Sequence, residues 1–321
     1  MLSKKAGKPL LDSSRTNRNL TIDRLRGSLV ILMVIGDYIS GIQFVPSFLK
    51  HAPDLGLTIA DTVASAFVFV IGLNYAPSFR RRMREGTMAA YRHFVLRYLA
   101  FIGIGAVIAG AANMVGQPTD WGVMQSIGVA GLICLAFIRT PTWVRFASGV
   151  LLLSGYQFVL DTSLLSTVLH SVHGGFFGAI SWGGLLVLST AVADIWRKGL
   201  MPYLICCAGL IVAAGISLVI IPVSKHRVSL SFILITLAIS AVAFLIAELL
   251  SRNSHKHPGL LCWWGENALA LYLVHLVVLG IFVMPSIGWW YAEAPSWLAV
   301  LQLVVILAFM SFVAWRLKKI R

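Results

Sequence analysis

Apolar runs of about 18 or more residues recur along this sequence, and they constrain its fold more than any other feature. A helix of that length crosses the hydrocarbon core of a bilayer. The chain is 58% hydrophobic and only 12% charged over 321 residues, a composition far from that of a soluble domain. Lipid admits only helices and closed barrels, and barrel strands would alternate polar and apolar residues. The sequence therefore predicts an all-α, polytopic membrane helical bundle.

About ten transmembrane helices are predicted. They cover residues 25–46, 57–78, 91–113, 121–138, 143–160, 175–194, 201–221, 229–250, 261–284 and 295–315. With the N-terminus inside, only Lys50, Lys225 and Arg227 of the 26 Lys and Arg residues fall outside. This asymmetry follows the positive-inside rule and predicts that both termini are cytoplasmic. We expect a cytoplasmic basic tail over 1–20 and a single transmembrane domain over 21–321.

The net charge of +14 first suggests nucleic acid as a partner. The topology accounts for this charge, together with attraction to anionic membrane lipid, so we expect no nucleic-acid partner. The four cysteines form no CxxC pattern. The pairs His170/His173 and His255/His257 lack acidic or Cys partners at metal-ligand spacing, so we expect no metal.

Four ionisable residues stand out inside the predicted spans: Asp37, Asp61, Glu266 and His275. Such groups are costly in lipid and usually face a cavity with a partner. At about 1.5 Å per residue, Asp37 lies roughly 20 Å above the inner edge and Asp61 roughly 7 Å below the outer edge. His275 falls near the midplane. A polar, wet pocket on the outer side would explain how the bilayer tolerates these residues.

Two outer loops bring further polar residues to this pocket. His51 precedes Asp61 by ten residues, and Lys225 lies between the seventh and eighth spans. A carboxylate bonded to one ring nitrogen of a histidine fixes its tautomer and raises the basicity of the other nitrogen. Such a histidine can act as a general base toward an amine or hydroxyl. An ordinary interfacial histidine stays the alternative on these residues alone.

Five segments carry recognisable patterns: TIDRLRG running into SLVILMVIGDY (21–38), HAPDLGLTIADTVASAFVFVIG (51–72), GVMQSIGVA (122–130), IPVSKHRVSLSFIL (221–234) and GENALALYLVH (265–275). In this order they resemble the motifs of the heparan-alpha-glucosaminide N-acetyltransferase family, a bacterial-type transmembrane acyltransferase related to the acyltransferase-3 superfamily. The last segment is shared by that superfamily in looser form. The resemblance extends over about residues 21–280.

The resemblance implies an integral membrane acetyltransferase. It would move an acetyl group from cytosolic acetyl-CoA to an amine, or a hydroxyl, of a sugar or glycan acceptor on the outer side. A multi-pass protein of a bacterial inner membrane and a homodimer are further expectations. The predicted outer position of His170 and His173 would put them within reach of an acceptor.

The resemblance also assigns catalytic residues. His51 corresponds to the family's catalytic histidine, and Asp37 to a polar residue that is Asn in well-known members. We expect Asp37 and Asp61 to position and polarise His51. Four motif positions depart from the family pattern and put the acceptor's identity in doubt: Ser65, Ser126, Val228 and Ser229.

Eight further residues are candidates for binding acetyl-CoA or the acceptor: Arg24, Arg26, Arg97, Gln125, Lys225, Ser231, Asn267 and His275. The arginines match the geometry of the phosphates of CoA. The two amides could bond the pantetheine arm in a dry channel, or join helices instead. Lys225 or Ser231 could stabilise an oxyanion. His275 could support the thioester or be a buried structural histidine.

Alternatives stay open at this point. A proton-coupled secondary transporter could use Asp37, Asp61 and His275 as a relay, and would be expected to contain inverted repeats with broken helices. An O-acyltransferase of cell-envelope polysaccharide and a non-catalytic protein with the same fold are others. Within the favoured class, His51 could act as the base of a direct transfer or carry the acetyl group itself.

Overall fold

The computed structural model describes residues 19–114, 120–252, 259–285 and 287–320. Almost all of the predicted basic tail, and the pair His255/His257, lie outside these residues. The described part contains α-helices and no strand, which confirms the all-α prediction. The helices are α1 (Leu20–Ile39), α2 (Ile59–Met83), α3 (Thr87–Met114), α4 (Val123–Phe137), α5 (Thr142–Val159), α6 (Leu165–Leu169), α7 (Gly175–Arg197), α8 (Leu200–Ile220), α9 (Leu230–Arg252), α10 (Leu260–Glu266), α11 (Ala268–Val283) and α12 (Ser296–Ile320).

A helix or helix pair coincides with each predicted span, but the number of membrane crossings is a separate question. Among the described residues, seven helical segments are long and apolar enough to cross a bilayer, and an eighth if α10 and α11 form one broken span. Helix α1 carries four charged residues, and α4 has only 15 residues. The protein is a multi-pass membrane protein, while ten crossings and cytoplasmic termini stay predictions.

The ninth predicted span is broken. Helices α10 and α11 meet at an angle of 90°, at Asn267. The side-chain amide of Asn267 donates to the carbonyl of Trp263 at 3.0 Å, and its backbone N–H donates to Trp264. These bonds satisfy carbonyls that a helix end leaves without partners. The sequence predicted one continuous helix here, because the apolar run continues across the break.

The helices pack around two hydrophobic cores. The larger core joins α2 to α5 and α7 to α9, with Phe69, Trp182 and Phe244 fully buried. The smaller core joins α1 with α10 to α12, through residues such as Trp264 and Ile306. A cavity lies between the two cores. Helices α1 and α11 line one side of it, and helices α2, α3 and α4 line the other.

Helices α1 and α10 approach each other closely because glycines face each other at the crossing. A Cβ on Gly27 would lie 1.9 Å from the carbonyl oxygen of Leu261, and a Cβ on Gly265 would lie 1.9 Å from that of Asp23. Neither position admits a side chain. The close approach also lets Arg26 donate to the carbonyl of Gly265 at 3.3 Å.

Candidate active site

The cavity between the two cores has a volume of about 1420 Å³. Asn19 and Arg26 line it near the start of α1, and Asp37 lines it near the end of that helix. At about 1.5 Å per residue, the 20 residues of α1 span roughly 30 Å. The cavity therefore extends along most of the thickness of the protein. It exceeds the roughly 300–1,000 Å³ typical of a site for one small ligand.

One end of the cavity, called the histidine end below, contains His51 and Lys225. The Nδ1 atom of His51 lies 2.8 Å from Oδ1 of Asp61, whose side chain is fully buried. No hydrogen-bond partner of His51 Nε2 occurs in the part of the chain that the structure describes, and the side chain is 39% exposed. The predicted pairing of His51 with Asp61 is thus present in the structure.

Local sequence builds this pair. Asp61 is the third residue of α2, and its Oδ2 accepts from the backbone N–H and the hydroxyl of Thr58 at 3.1 and 2.9 Å. A carboxylate at this position that bonds back to the residue before the helix is part of a capping box. Oδ2 also accepts from the backbone N–H of Ala52 at 3.2 Å. One carboxylate therefore caps α2, holds the His51 loop and orients the imidazole.

Lys225 completes a three-residue cluster. Its Nζ atom lies 3.1 Å from Asp61 Oδ1 and 2.9 Å from His51 Nδ1. Burial lowers the pKa of Lys225 from its usual 10.5, and the charge and hydrogen bond of Asp61 oppose this shift. An ammonium can donate to Nδ1 only when that nitrogen carries no proton, so Lys225 and Asp61 together control which tautomer His51 adopts.

Asp37 bonds a different histidine from the one we predicted. Its Oδ2 lies 3.1 Å from Nε2 of His275, while Nδ1 of His275 contacts the carbonyl of Tyr272. The expectation that Asp37 polarises His51 is therefore replaced by two separate His–Asp pairs. Asp37 faces the cavity, whereas His275 is fully buried behind it.

The opposite end of the cavity, called the arginine end below, is strongly basic. Six arginines line it: Arg26, Arg80, Arg81, Arg84, Arg97 and Arg197. Asp23 and Glu266 are the acidic residues that line the same region, and Asp23 pairs with Arg26 at 3.1 Å. The guanidinium of Arg97 lies over the ring of Tyr98, 5.7 Å from its centre. The positive charge here exceeds the negative charge, so the region suits a polyanion.

Five predicted ligand-binding residues do not line the cavity: His275, which lies behind it, and the four described next. Arg24 donates to Ser251 at 3.2 Å. Gln125 accepts from the backbone of Gly122 and so helps to begin α4, much as Asn267 helps to end α10. Ser231 is fully buried and bonds Ser229 and the carbonyl of Pro222. Arg24 thus joins α1 to α9, whereas Gln125, Asn267 and Ser231 bond residues of their own helix or loop. In these bonds neither amide side chain joins two separate helices. Asn74 of α2 is an amide that does line the cavity.

A salt bridge that the sequence did not suggest holds the loops at the histidine end together. The guanidinium of Arg227 bonds both carboxylate oxygens of Asp54, and Ser224 donates to Asp54 at 2.8 Å. The hydrogen bond from Arg227 lowers the pKa of Asp54. The backbone N–H of Gly56 also donates to the carbonyl of Val223 at 2.8 Å. The loop that carries His51 is thereby fastened to the loop that carries Lys225.

Comparison with known proteins adds the family to this geometry. Residues 18–204, more than half of the chain, match the family described as "Heparan-alpha-glucosaminide N-acetyltransferase, catalytic". The chain belongs to this family. The matched part of this chain contains Asp37, His51 and Asp61, whereas Lys225 and His275 lie beyond its end.

Two curated relatives are both named heparan-alpha-glucosaminide N-acetyltransferase. The Mus musculus protein is 32% identical over 124 residues, which cover 36% of this chain and 18% of that protein. The Homo sapiens protein is 33% identical over 122 residues, which cover 34% of this chain and 17% of that protein. The aligned segments thus cover less than a fifth of the length of each relative.

Proposed function

We propose that this protein is a membrane acetyltransferase that moves an acetyl group from acetyl-CoA to an amine of a sugar or glycan acceptor. The observation that carries the proposal is a single cavity that joins a basic end to the His51–Asp61 pair. Family membership supports the reaction class, and the names of the relatives support an amino sugar over a hydroxyl acceptor.

The arginine end suits the phosphates of CoA. Arginine binds phosphate through parallel, charge-assisted hydrogen bonds, and several line this end. The pantetheine arm would follow the cavity toward His51 and carries amide groups that need partners. Asn74 lies along that path and takes the role that the sequence suggested for Gln125 and Asn267. The volume leaves room for an acceptor beyond the thioester.

Direct transfer follows from the geometry at the histidine end. With Nδ1 of His51 donating to Asp61, Nε2 is free to take one proton from the neutral acceptor amine as the amine nitrogen bonds to the thioester carbon. The carbon–sulfur bond then breaks. The released thiolate takes the proton from the His51 imidazolium. Lys225, which lies 2.9 Å from His51, is placed to donate to the oxyanion.

The location and organisation of the protein belong to the same proposal. Acetyl-CoA is cytosolic, so the arginine end would face the cytoplasm and the histidine end the outside, in agreement with the loop charges. A single domain over 21–321 in a bacterial inner membrane, and a homodimer, are the organisation we propose. A transporter is less well supported, because it would be expected to have two broken helices in corresponding halves, and the described residues contain a single broken span.

The proposal is tested with detergent-purified protein, acetyl-CoA labelled on its acetyl group, and glucosamine. We expect thiol release and labelled N-acetylglucosamine from the wild type, and neither from His51→Ala. Asp161→Asn is a matched control, because Asp161 is exposed and Gln157 is its one hydrogen-bond partner among the described residues. Label retained on the protein without acceptor would indicate an acetyl-His51 intermediate. A wild-type protein that does not bind acetyl-CoA would overturn the proposal.

A further inference from the structure

Two loops at the histidine end contain strained backbone. Among the described residues, His173 and Val228 are the non-glycine residues with left-handed backbone, at φ 55° and 52°. This conformation is uncommon for any side chain and is an outlier for a β-branched valine. Such strain persists only where surrounding structure imposes it, and it concentrates at ligand-binding sites.

The two strained residues are held against each other. His173 is followed by Gly174 and Gly175, which also have positive φ. A Cβ on Gly174 would lie 2.8 Å from Cγ2 of Val228, so the turn packs directly on the fully buried valine. The carbonyl of Val228 accepts from Ser181 of α7 at 2.9 Å. The turn around His173 is therefore packed against the loop that carries Lys225, and α7 holds that loop in place by a hydrogen bond.

The side chain of His173 is fixed but has an unused polar atom. Its ring packs edge-to-face against Trp182, with ring centres 6.3 Å apart, and its carbonyl accepts from the indole N–H of Trp182. Its Nδ1 atom is buried and has no hydrogen-bond partner in the described part of the chain. The residue lines the same cavity as His51 and Lys225. An unpaired buried nitrogen, in a residue that lines a cavity, requires an explanation.

We infer that His173 is an acceptor-binding residue, which holds a hydroxyl of a sugar ring beside the amine that His51 deprotonates. This inference rests on the proposed function. A neutral imidazole offers one donor and one acceptor, which matches a hydroxyl group. Unlike His51 and His275, His173 has no carboxylate partner among the described residues, so it suits binding better than proton removal.

The wall beside His173 indicates the class of acceptor. Trp121 and Val172 line the cavity together with His173, and the ring of Trp121 packs edge-to-face on Phe176 at 5.8 Å. A pyranose ring has an apolar C–H face and an edge of hydroxyl groups. The flat aromatic and aliphatic wall fits that face, while His173 and Lys225 fit the polar edge. A small linear amine has no flat apolar face to pack on this wall and no ring hydroxyl to bond His173.

The test uses substitutions that suit left-handed backbone. His173→Gly deletes the imidazole without backbone strain, and His173→Asn keeps a polar atom near the place of Nδ1. His170→Ala is the control, because His170 lies in the same segment but is exposed, bonds the carbonyl of Ser166 and does not line the cavity. Thermal melting of each purified variant establishes that it is folded.

Two readouts separate this inference from the proposed function. The first is direct binding of glucosamine and of its disaccharide, without acetyl-CoA. The second is KM for each substrate, with His51→Ala in parallel. We expect His173→Gly to weaken sugar binding and raise the acceptor KM about tenfold, with kcat and the KM for acetyl-CoA unchanged. His173→Asn should recover most of the loss, and His170→Ala should match the wild type.

The contrary outcomes are distinct. Sugar binding that is equal in His173→Gly and the wild type, or absent from the wild type, overturns the role of His173. A fall in kcat with an unchanged acceptor KM would also overturn it, since that pattern indicates a loss of catalysis rather than of binding. If sugar binds through His173 but no acetyl group is transferred, the proposed function fails while the binding assignment stands.

Discussion

Replacing Asp61 by Asn should remove catalysis while leaving the helix cap in place. Oδ2 of Asp61 accepts from three donors, the backbone N–H groups of Ala52 and Thr58 and the Thr58 hydroxyl. An asparagine oxygen can accept the same bonds. Its NH₂ group would then occupy the place of Oδ1, which faces His51 and Lys225. Because an NH₂ group only donates, Nδ1 of His51 would have to be unprotonated, and the proton would move to Nε2.

The expected magnitude follows from that change of tautomer. A protonated Nε2 cannot act as a base, and general-base catalysis contributes about 10²–10⁴ in rate. At about 1.36 kcal/mol per factor of ten, this corresponds to roughly 3–5 kcal/mol of activation free energy. Lys225 also loses a charge-assisted bond, so the free energy of unfolding should fall by about 1.5–3 kcal/mol. The protein should still fold, since the cap and the Asp54–Arg227 salt bridge remain.

The assay is the initial rate of thiol release at saturating acetyl-CoA and acceptor, with Asp161→Asn as the control for loss of a carboxylate near the histidine end. The double variant His51→Ala/Asp61→Asn tests whether Asp61 acts through His51. If it does, the double variant is no slower than His51→Ala alone. A kcat of Asp61→Asn within twofold of the wild type, or full additivity of the two losses, would refute the tautomer argument.

Three further predictions concern charged groups. Lys225 donates as an ammonium, and its pKa is lowered from the usual 10.5. Activity should therefore decline as the pH rises, and the decline should begin below pH 10.5. In a pH–rate profile, Lys225→Arg should move this decline to higher pH. Arg97→Gln should raise the KM for acetyl-CoA about tenfold and weaken the dependence of that KM on salt concentration. Arg82→Gln is the control that should leave the KM unchanged, because the guanidinium of Arg82 pairs with the exposed Glu85. The pKa of Asp54 lies below its usual 3.8 in the folded state. The ionised carboxylate therefore stabilises the fold above pH 3.8, and this stabilisation is lost as the pH falls through the pKa of the folded state. Asp54→Asn should abolish this acid-dependent loss of stability, measured by thermal melting.

Helix positions and the His51–Asp61 pair could be predicted from the sequence because both are local. Helices follow from apolar runs, since the bilayer leaves the backbone no alternative. Asp61 lies three residues after Thr58, so one turn of α2 brings its carboxylate back to the helix start, and ten residues of loop return His51 to it. The distribution of charge between the loops likewise predicted that most arginines lie at one end of the helical bundle.

The partner of Asp37 could not be predicted in the same way. His275 is 238 residues away, and which of two histidines Asp37 meets depends on how α1 is rotated against α11. Apart from His275, α11 is apolar on all sides, so its sequence gives no signal for the face that it turns toward α1. The break at Asn267 was not predicted either, because the apolar run continues across it and so gives no signal that the helix ends there.

An all-helical membrane protein, the order of its helices and one histidine oriented by a carboxylate could be predicted, since they depend on hydropathy and on contacts within a few turns. Which polar side chains share a cavity became known from the folded structure alone. It brought Lys225 to His51, directed His173 into the same space, and kept Gln125 and Ser231 for local bonds. These outcomes depend on helix rotation and loop packing, which are set by contacts between residues far apart in the chain.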